Sequence, residues 1–486
     1  MLRLLNVKLI CKILGLLLSI ESGFMLLSMM LTFVYHEEVI DAFITSILFC
    51  FGTACACYLY GRNAGRFISK REGYLIVFLS WVSFSLFGCF PYYLSGYIPS
   101  FTDAFFETMS GFSTTGSTIL KDIERLPHSL LFWRALTHWL GGMGIIVFTL
   151  ALLPLFKNGG VQLFMAESTG PTLVKIHPRI AETSQRLWLV YIVITLLECI
   201  MLYWGGMSLF DSVCHSFSTA ACGGFSTKNA SIAYWQSPYI HYIITLFMFV
   251  SSVNFTLLYY FYKRKWNHLR ENEELKYFVL VILSFSLLIG GNLYYHHYSS
   301  DIEQCFRDAL FQVVSIISST GFATCDYMLW PQLLWVMLLF LMISGGSAGS
   351  TSGGTKIVRI ILMFKYIRNE FNRYIHPNAV IPVKLNNKVV SPQIVTNVLV
   401  FLFIYILVIM ISLVVLIATG LPFDEAFGAS VSAIGNTGPG IGSLGPAYTF
   451  ADISDFAKWY LSFLMVVGRL EIFTVLVIFT PYFWRD

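Results

Sequence analysis

Residues 103–118 read DAFFETMSGFSTTGST, and three later segments of the chain repeat this pattern. They read DSVCHSFSTAACGGFST from Asp211, DALFQVVSIISSTGFAT from Asp308 and EAFGASVSAIGNTGPG from Glu425. In each segment an acidic residue stands 13 positions before a glycine (103 to 116, 211 to 224, 308 to 321, 425 to 438), and apolar and small residues lie between them. A spacing that recurs four times at long intervals indicates four copies of one structural unit.

The four segments are too short to cross a bilayer, but longer apolar runs flank each of them. A transmembrane helix needs roughly 20 apolar residues, and segments of about 10–14 are typical of re-entrant helices. Only 12% of the residues are charged, against about 25% in soluble domains, and the mean hydropathy is +0.70. We predict re-entrant helices near residues 102–115, 210–223, 307–320 and 424–437. We predict ten spans, near residues 13–34, 42–60, 74–96, 130–155, 187–207, 239–262, 277–296, 331–366, 393–419 and 456–481.

These runs predict an all-α polytopic membrane protein in which four pseudo-repeated span–pore helix–filter–span units surround one pore. Lysine and arginine collect on one side of the predicted spans, so the positive-inside rule places both termini in the cytoplasm. The acidic outer side either concentrates cations or follows from this topology alone. The expected units are an N-terminal two-span extension at 1–70, repeats at 71–160, 180–265, 275–372 (with a broken second span) and 393–486, and a cytoplasmic loop at 373–392.

Four glycine turns around one axis suit a dehydrated potassium ion. Backbone carbonyls replace the hydration shell of K⁺ in potassium channels, and glycine permits the dihedral angles that aim them inwards. The turns contain no carboxylate, which favours K⁺ or Na⁺ over a divalent cation. Glycines that only allow close helix packing are the alternative. The predicted filter residues, which are also the predicted K⁺ ligands, are Thr114, Thr115, Gly116, Cys222, Gly223, Gly224, Ser319, Thr320, Gly321, Asn436, Thr437 and Gly438.

The eighth predicted span is interrupted by SGGSAGSTSGGTK at residues 344–356. Non-helical backbone at membrane depth must line a cavity or pack against protein, so we predict a flexible gate below the third glycine turn, with a plain kink as the alternative. A phosphate-binding loop is excluded because the lysine comes one residue late and no strand–helix unit surrounds it. The predicted gate residues are Gly345, Gly346, Gly349, Gly353, Gly354 and Lys356.

Arg469 lies near the middle of the last predicted span, and Glu471 follows two residues later. A charge at that depth is costly and usually faces a cavity, so we predict that Arg469 is a positive barrier to cations below the glycine turns. A structural ion pair is the alternative, although residues two apart on a helix do not face each other. Arg134, Glu21 and Glu198 are interpreted as ordinary helix contacts or span-end residues.

Other patterns narrow the class of protein. The cysteines lie mostly in apolar runs and form no CxxC pair, so we expect neither disulfides nor a zinc site. Protease and hydrolase motifs are absent from the sequence, which argues against an enzyme. Alternating apolar residues within 376–392 predict a small hairpin that contacts a cytoplasmic partner. A Na⁺- or H⁺-coupled symporter and a scaffold without ion flux remain alternatives to a gated channel.

Six motifs resemble the membrane subunit of Trk potassium-uptake systems, the TrkH/TrkG type within the Trk/Ktr/HKT superfamily. They are HWLGGMGIIV (138–147), AESTGP (166–171), HPRIAETSQRLW (177–188), SAGSTSGGTK (347–356), HPNAVIPVKL (376–385) and GRLEIFTVLVIFTPYFW (468–484). The likeness extends to the glycine turns and covers essentially the whole chain. In the second turn the pair Cys222–Gly223 departs from the usual Ser/Thr pair.

The resemblance implies a homodimer in the bacterial inner membrane, with one K⁺ pore per subunit. It further implies a gating loop within 345–354, an arginine below the filter at Arg469, and a TrkA-like cytoplasmic nucleotide-binding subunit on the inner face. Gly116 stands where sodium-preferring relatives carry serine, which favours K⁺. No bound cofactor other than the transported K⁺ is expected, and no nucleic-acid partner.

Overall fold

Helices account for nearly all of the regular structure. The computed structural model describes residues 5–65, 68–142 and 180–484, with only the backbone of 180–184. The second half of the span predicted at 130–155 and the motif at 166–171 lie outside the described residues. The helices are α1 (Val7–Tyr35), α2 (Ile40–Tyr60), α3 (Lys70–Gly88), α4 (Phe90–Leu94), α5 (Phe101–Phe112), α6 (His128–Gly142), α7 (Ile180–Trp204), α8 (Leu209–Ala220), α9 (Pro238–Ser252), α10 (Phe255–Tyr262), α11 (Trp266–Arg270), α12 (Glu273–Tyr295), α13 (Ile302–Ile317), α14 (Gln332–Ser344), α15 (Ile357–Ile375), α16 (Pro392–Ala418), α17 (Phe423–Gly435), α18 (Asp455–Arg469), α19 (Phe473–Leu476) and α20 (Pro481–Trp484).

Six of the described helical segments are long and apolar enough to cross a bilayer: α1, α2, α3 continued by α4, the part of α7 from Gln185, α12 and α16. Two further pairs qualify by composition but bend sharply, by 105° between α9 and α10 and by 112° after α18. The spans predicted at 239–262 and 456–481 therefore each contain a sharp bend. The interruption of the eighth span is confirmed, since α14 ends at Ser344 and α15 begins at Ile357.

The four short helices predicted before the glycines are present as α5, α8, α13 and α17, and we call them pore helices. Each pore helix packs between the helix before it and the helix after it, that is, between α3 and α6, α7 and α9, α12 and α14, or α16 and α18. The helix after each pore helix also packs against the next pore helix: α6 on α8, α9 on α13, α14 on α17, and α18 on α5. The last contact closes the circle, so four similar units surround one axis.

Two N-terminal helices lie outside this circle. α1 and α2 pack closely along their lengths, and α1 also contacts α3 and α6. Gly15 makes the close approach possible, because a Cβ atom there would stand 2.6 Å from the carbonyl oxygen of Ala54 on α2. Small residues at helix contacts are the usual means of tight association inside a membrane.

The predicted hairpin in the loop before α16 is confirmed. Strands β1 (Lys384–Leu385) and β2 (Lys388–Val389) pair antiparallel around the two asparagines at 386 and 387, both of which have positive φ. Asn386 accepts a hydrogen bond from the backbone N–H of Glu273 at 2.8 Å, and Lys365 donates to the carbonyl of Lys384. The hairpin is thereby attached to the first turn of α12 and to α15.

Candidate functional site

Each pore helix ends in the same way. In each repeat, the residue two positions before the glycine that follows the acidic residue by 13 positions adopts a left-handed conformation. None of these four residues is itself a glycine: φ is 55° at Thr114, 54° at Cys222, 56° at Ser319 and 50° at Asn436. The next residue donates its backbone N–H to a carbonyl five residues back, which closes the helix as a Schellman motif does. These bonds run from Thr115 to Ser110, Gly223 to Ser218, Thr320 to Ser315 and Thr437 to Ser432, at 2.8–3.0 Å.

The four glycines meet in a ring. All have positive φ, between 81° and 104°, a conformation that suits glycine and strains other residues. At each glycine an added Cβ atom would collide with a backbone carbonyl oxygen of the next turn. That oxygen belongs to the residue that directly precedes the glycine of the next turn. The pairs are Gly116 with the carbonyl of Gly223, Gly224 with that of Thr320, Gly321 with that of Thr437, and Gly438 with that of Thr115. The structure therefore brings residues 114–116, 222–224, 319–321 and 436–438 together as one closed circle of backbone, the glycine turns.

A cavity of about 140 Å³ opens on the side of the glycines away from the pore helices' C-terminal ends, and all four glycines line it. Its wall, as far as the described residues show, contains Lys121 and Lys228 but no carboxylate. Asp452 lies 2.7 Å from the Lys121 ammonium, and Glu124 lies 3.8 Å from that of Lys228. Each of these two lysines thus has an acidic partner that does not itself line the cavity.

In three of the four units the acidic residue that defines the repeat holds the chain that leaves the glycine turn. Asp211 accepts a hydrogen bond from the Thr227 hydroxyl at 2.6 Å, and Asp308 accepts one from Thr324 at 3.1 Å. In the fourth unit Glu425 accepts from the backbone N–H of Ser443. The first unit differs, because Asp103 pairs with Lys458 on α18 at 2.6 Å. In the second, third and fourth units the 13-residue spacing thus places the acid beside the outgoing chain.

Neighbouring hydroxyl groups hydrogen-bond to each other in the first and third turns. Ser113 and Thr115 share a 2.7 Å hydrogen bond, as do Ser318 and Thr320. The second turn departs from this pattern at Gly223, and the structure supplies the reason. A Cβ atom at Gly223 would collide with the imidazole ring of His138, which stacks on Phe225 and lies 2.9 Å from the Ser218 hydroxyl.

The loop at residues 345–356, which we call the intramembrane loop, crosses directly below the glycine turns. Its Thr351 hydroxyl lies 3.2 Å from the Cys222 sulfur, and the N–H of Gly353 donates to the Ser319 hydroxyl at 2.5 Å. At the break between α9 and α10, the N–H of Ser347 donates to Ser252 and the N–H of Phe255 to Gly349. The loop is thus hydrogen-bonded to the bend between α9 and α10, and it contacts both the second and the third turn.

Positive φ values let the loop turn at four of the six predicted gate positions. They occur at Gly345, Gly349, Gly354 and Lys356, and the loop is closed at its base because Gly345 and Gly354 touch. Gly346 and Gly353 are instead confined by their neighbours. The Lys356 ammonium turns back into the loop and donates a hydrogen bond to the Ser352 carbonyl, so it stabilises the loop from within.

Arg469 lies at the end of α18 rather than in the middle of a continuous span. Its guanidinium donates to the carbonyl of Thr351 in the intramembrane loop at 3.0 Å and to the carbonyl of Gly141 at 2.8 Å. It lines a small cavity below the fourth turn together with Asn436, Trp81 and the loop. Glu471, the other charged residue at this end of α18, pairs with Arg359 on α15.

Sequence reasoning missed one buried ion pair beside the ring. Arg134 was interpreted as an ordinary helix contact, but its Nε lies 2.7 Å from the carboxylate of Glu107 on the first pore helix, and both side chains are almost completely buried. The signal was available, because an arginine within an apolar span requires a buried partner. Elsewhere among the described residues, no group of three or more His, Cys, Asp or Glu is placed to hold a metal ion.

Comparisons with known proteins agree with this architecture. Residues 39–485 match the family described as "TrkH: Cation transport protein". The chain is 40% identical to the "Trk system potassium uptake protein TrkH" of Salmonella typhimurium, over 98% of this chain and 99% of that protein. It is 33% identical to the "Trk system potassium uptake protein TrkG" of Escherichia coli, over 99% of each.

A solved structure also resembles the fold. It is the "Crystal Structure of the Potassium Transporter TrkH from Vibrio parahaemolyticus", with a TM-score of 0.88, 37% identity and coverage of 98% of this chain and 99% of that one. The predicted all-α membrane fold, the predicted family and the expectation of a transport protein rather than an enzyme are confirmed. The chain belongs to the TrkH family of cation transport proteins.

Proposed function

We propose that this chain carries K⁺ into the cell through a gated, channel-like pore whose selectivity filter is the ring of glycine turns. One observation carries the proposal: four turns with the same backbone conformation meet as a closed circle, each glycine against a carbonyl of the next turn. Backbone carbonyls arranged around an axis supply the oxygen ligands that a dehydrated K⁺ needs. The names of the relatives, which are potassium uptake proteins, support K⁺ as the transported ion.

The electrostatics of the ring suit a monovalent cation. Each pore helix ends at a turn, so the partial negative charge of its C-terminus is directed at the ring. None of the residues from 114 to 116, 222 to 224, 319 to 321 or 436 to 438 is charged. Carbonyl dipoles without carboxylates hold a single positive charge without trapping a divalent one.

The intramembrane loop and Arg469 act as the gate in this proposal. The loop hydrogen-bonds two turns from below, and the Arg469 guanidinium holds the loop through Thr351. A fixed positive charge beneath the ring opposes cation passage. Flux therefore requires that the loop leave the axis and that Arg469 be displaced or shielded.

A cytoplasmic partner is the natural source of that displacement. We propose a homodimer in the inner membrane, with both termini in the cytoplasm and a TrkA-like nucleotide-binding subunit on the inner face. The hairpin β1–β2 would meet the partner, and it is attached to α15, the helix that follows the intramembrane loop. A movement at the hairpin would thus reach the loop along one helix.

Symport with Na⁺ or H⁺ is the second candidate. It is favoured by two carboxyl groups buried within spans, Glu21 on α1 and Glu198 on α7, since ionisable residues inside a membrane often belong to ion or proton pathways. Reconstitution separates the two candidates. If the chain is a channel, the purified protein in liposomes should take up radioactive Rb⁺ with a K⁺ gradient as the only driving force. K⁺ should then inhibit Rb⁺ uptake better than Na⁺ does. Uptake that requires a pH or Na⁺ gradient supports symport. Absence of uptake with and without such gradients, both in the parent chain and in a variant that lacks the gating residues 345–353, refutes both.

A further inference from the structure

We propose that the Glu107–Arg134 ion pair is a positioning brace, which fixes the first glycine turn relative to the second and so sets ion selectivity. This inference rests on the proposed function, because it assumes that the glycine turns are the filter. Glu107 belongs to the first pore helix and Arg134 to α6, the helix that follows the first turn. Neither residue belongs to a glycine turn.

Glu107 holds the chain that leaves the first turn. One carboxylate oxygen accepts from Arg134 Nε at 2.7 Å and from the Thr118 hydroxyl at 2.9 Å. The other accepts from the backbone N–H of Ile119 at 2.9 Å and again from Thr118 at 3.0 Å. Thr118 lies two residues after Gly116, so the carboxylate fixes the backbone at the outer edge of that turn.

Arg134 extends the same connection to the second turn. Its Nη1 donates to the carbonyl of Ser226 at 2.9 Å, and its guanidinium lies 3.5 Å from the centre of the Phe225 ring. Phe225 and Ser226 are the two residues that follow Gly224. One ion pair therefore connects the chain segments that leave two neighbouring turns, across the interface of those turns.

The other units use neutral groups at the position of Glu107, nine residues before the glycine (107 to 116, 215 to 224, 312 to 321). His215 Nε2 lies 2.9 Å from the Ser226 hydroxyl, and Gln312 donates to the carbonyl of Cys325 at 3.4 Å. The hydrogen bonds of these two side chains stay within their own units, although the His215 ring also lies 5.7 Å from the ring of Phe322, which follows the third glycine. The position in the fourth unit is Ala429. The charged brace thus belongs to the interface of the first and second turns.

Burial strengthens the electrostatic interaction between Glu107 and Arg134. The side chains of Glu107 and Arg134 are 0% and 2% exposed, so the pair is little screened by solvent ions. Removal of one partner leaves the other charge buried and unpaired, which a protein tolerates only by rearrangement. Such a rearrangement would loosen the ring at the carbonyl of Gly223, the one that faces Gly116. A looser ring fits K⁺ less selectively against the smaller Na⁺.

Three variants test the brace by competition of K⁺ and Na⁺ against radioactive Rb⁺ uptake in liposomes. Glu107→Gln keeps the shape of the side chain and removes its charge. Arg134→Lys keeps the charge but loses the bond to Ser226. Thr118→Val leaves the ion pair intact and removes the Thr118 hydroxyl, which donates to Glu107 and accepts from the backbone N–H of Leu120. Glu303→Gln is the matched control, because it removes the exposed ion pair with Arg307 on the third pore helix.

The ratio of the inhibitory concentrations of Na⁺ and K⁺ should fall by about fivefold in Glu107→Gln and Arg134→Lys, in line with the loss of a charge-assisted hydrogen bond. It should fall in the same direction but less in Thr118→Val, and it should not change in the control. A ratio within twofold of the parent in Thr118→Val and in every charge variant that yields folded protein overturns the brace.

The same measurements separate failure of the brace from failure of the filter. If Gly116→Ser changes the ratio while the brace variants do not, the filter assignment stands and the brace is wrong. If neither set changes the ratio, the glycine turns are not the filter, and the proposed function fails first. Thermal unfolding of each purified variant identifies those that fold, and Thr118→Val preserves the buried ion pair should both charge variants fail to fold.

Discussion

Replacement of Gly116 with serine is expected to lower the preference for K⁺ over Na⁺ by distorting the ring at one point. Gly116 has φ of 87°, and a Cβ atom there would collide with the carbonyl oxygen of Gly223. The serine must therefore move one or both turns, and the carbonyl that moves is a proposed K⁺ ligand. The effect should appear as a change in selectivity rather than a simple loss of flux.

The magnitude follows from two terms. A left-handed conformation costs a residue other than glycine about 1–2 kcal/mol. Overpacking of a closely fitted site costs about 1–3 kcal/mol. If half of the total of about 2–5 kcal/mol acts on K⁺ relative to Na⁺, the preference falls by about fivefold to sixtyfold, since each 1.4 kcal/mol corresponds to tenfold.

The assay is inhibition of radioactive Rb⁺ uptake by K⁺ and by Na⁺ in liposomes that contain the purified chain. Gly206→Ser is the matched control, because Gly206 has φ of 94° but no atom within 4 Å of an added Cβ. That variant has the dihedral strain without the collision, and its ion preference should equal that of the parent. An unchanged Na⁺-to-K⁺ ratio in Gly116→Ser, with uptake still measurable, would refute the filter assignment.

Three further outcomes follow from the parts below the ring. Deletion of residues 345–353 should raise uptake that is independent of the cytoplasmic partner, because the ends of the loop already touch and can be rejoined; uptake equal to that of the parent would remove the loop as the gate. Arg469→Gln should raise maximal K⁺ uptake severalfold by removing the positive charge and the bond to Thr351, and a decrease in a folded variant would contradict the barrier. Glu471→Gln should release Arg359 from the bend after α18, lower the free energy of unfolding by about 1–3 kcal/mol and raise basal uptake; a stability equal to that of the parent in thermal unfolding would show that the pair does not hold the bend.

The sequence predicted the pore helices and the interruption of the eighth span because local chemistry determines both. A glycine at a fixed distance from an acid marks a helix end, and the run at 344–356 contains too many glycine and serine residues to remain helical in a membrane. The helices end within a few residues of the predicted positions, and residues 114–116 and the three equivalent turns lie where the repeat placed them. Whether these turns select K⁺ remains a prediction.

The bends after α9 and α18 were not predictable in the same way. Neither contains proline, and the second is formed by Glu471 and Ile472, with φ of 54° and 47°. Such angles are unfavourable for these residues and persist because distant parts of the chain fix them. Arg359 pairs with Glu471, and Ser347 of the intramembrane loop bonds to Ser252 at the first bend. Contacts of that kind have no periodicity in the sequence.

The Glu107–Arg134 pair was missed for a related reason. The residues are 27 positions apart and lie on different helices. An arginine within an apolar run indicates a buried partner but does not identify it, and only the closure of the fold shows that Arg134 also reaches Ser226 of the next unit. By contrast, the sequence itself shows that position 223 is a glycine. It does not show the reason, which is that the ring of His138 occupies the space of a side chain there.

Diffraction from crystals of the protein grown in Rb⁺ tests the central claim most directly, since the anomalous signal of Rb⁺ locates the ion without reference to the protein. We expect a peak on the axis between the carbonyl oxygens of Thr115, Gly223, Thr320 and Thr437, and this peak should diminish when K⁺ replaces Rb⁺. Side chains or water in that space, with Rb⁺ bound elsewhere or not at all, would contradict it.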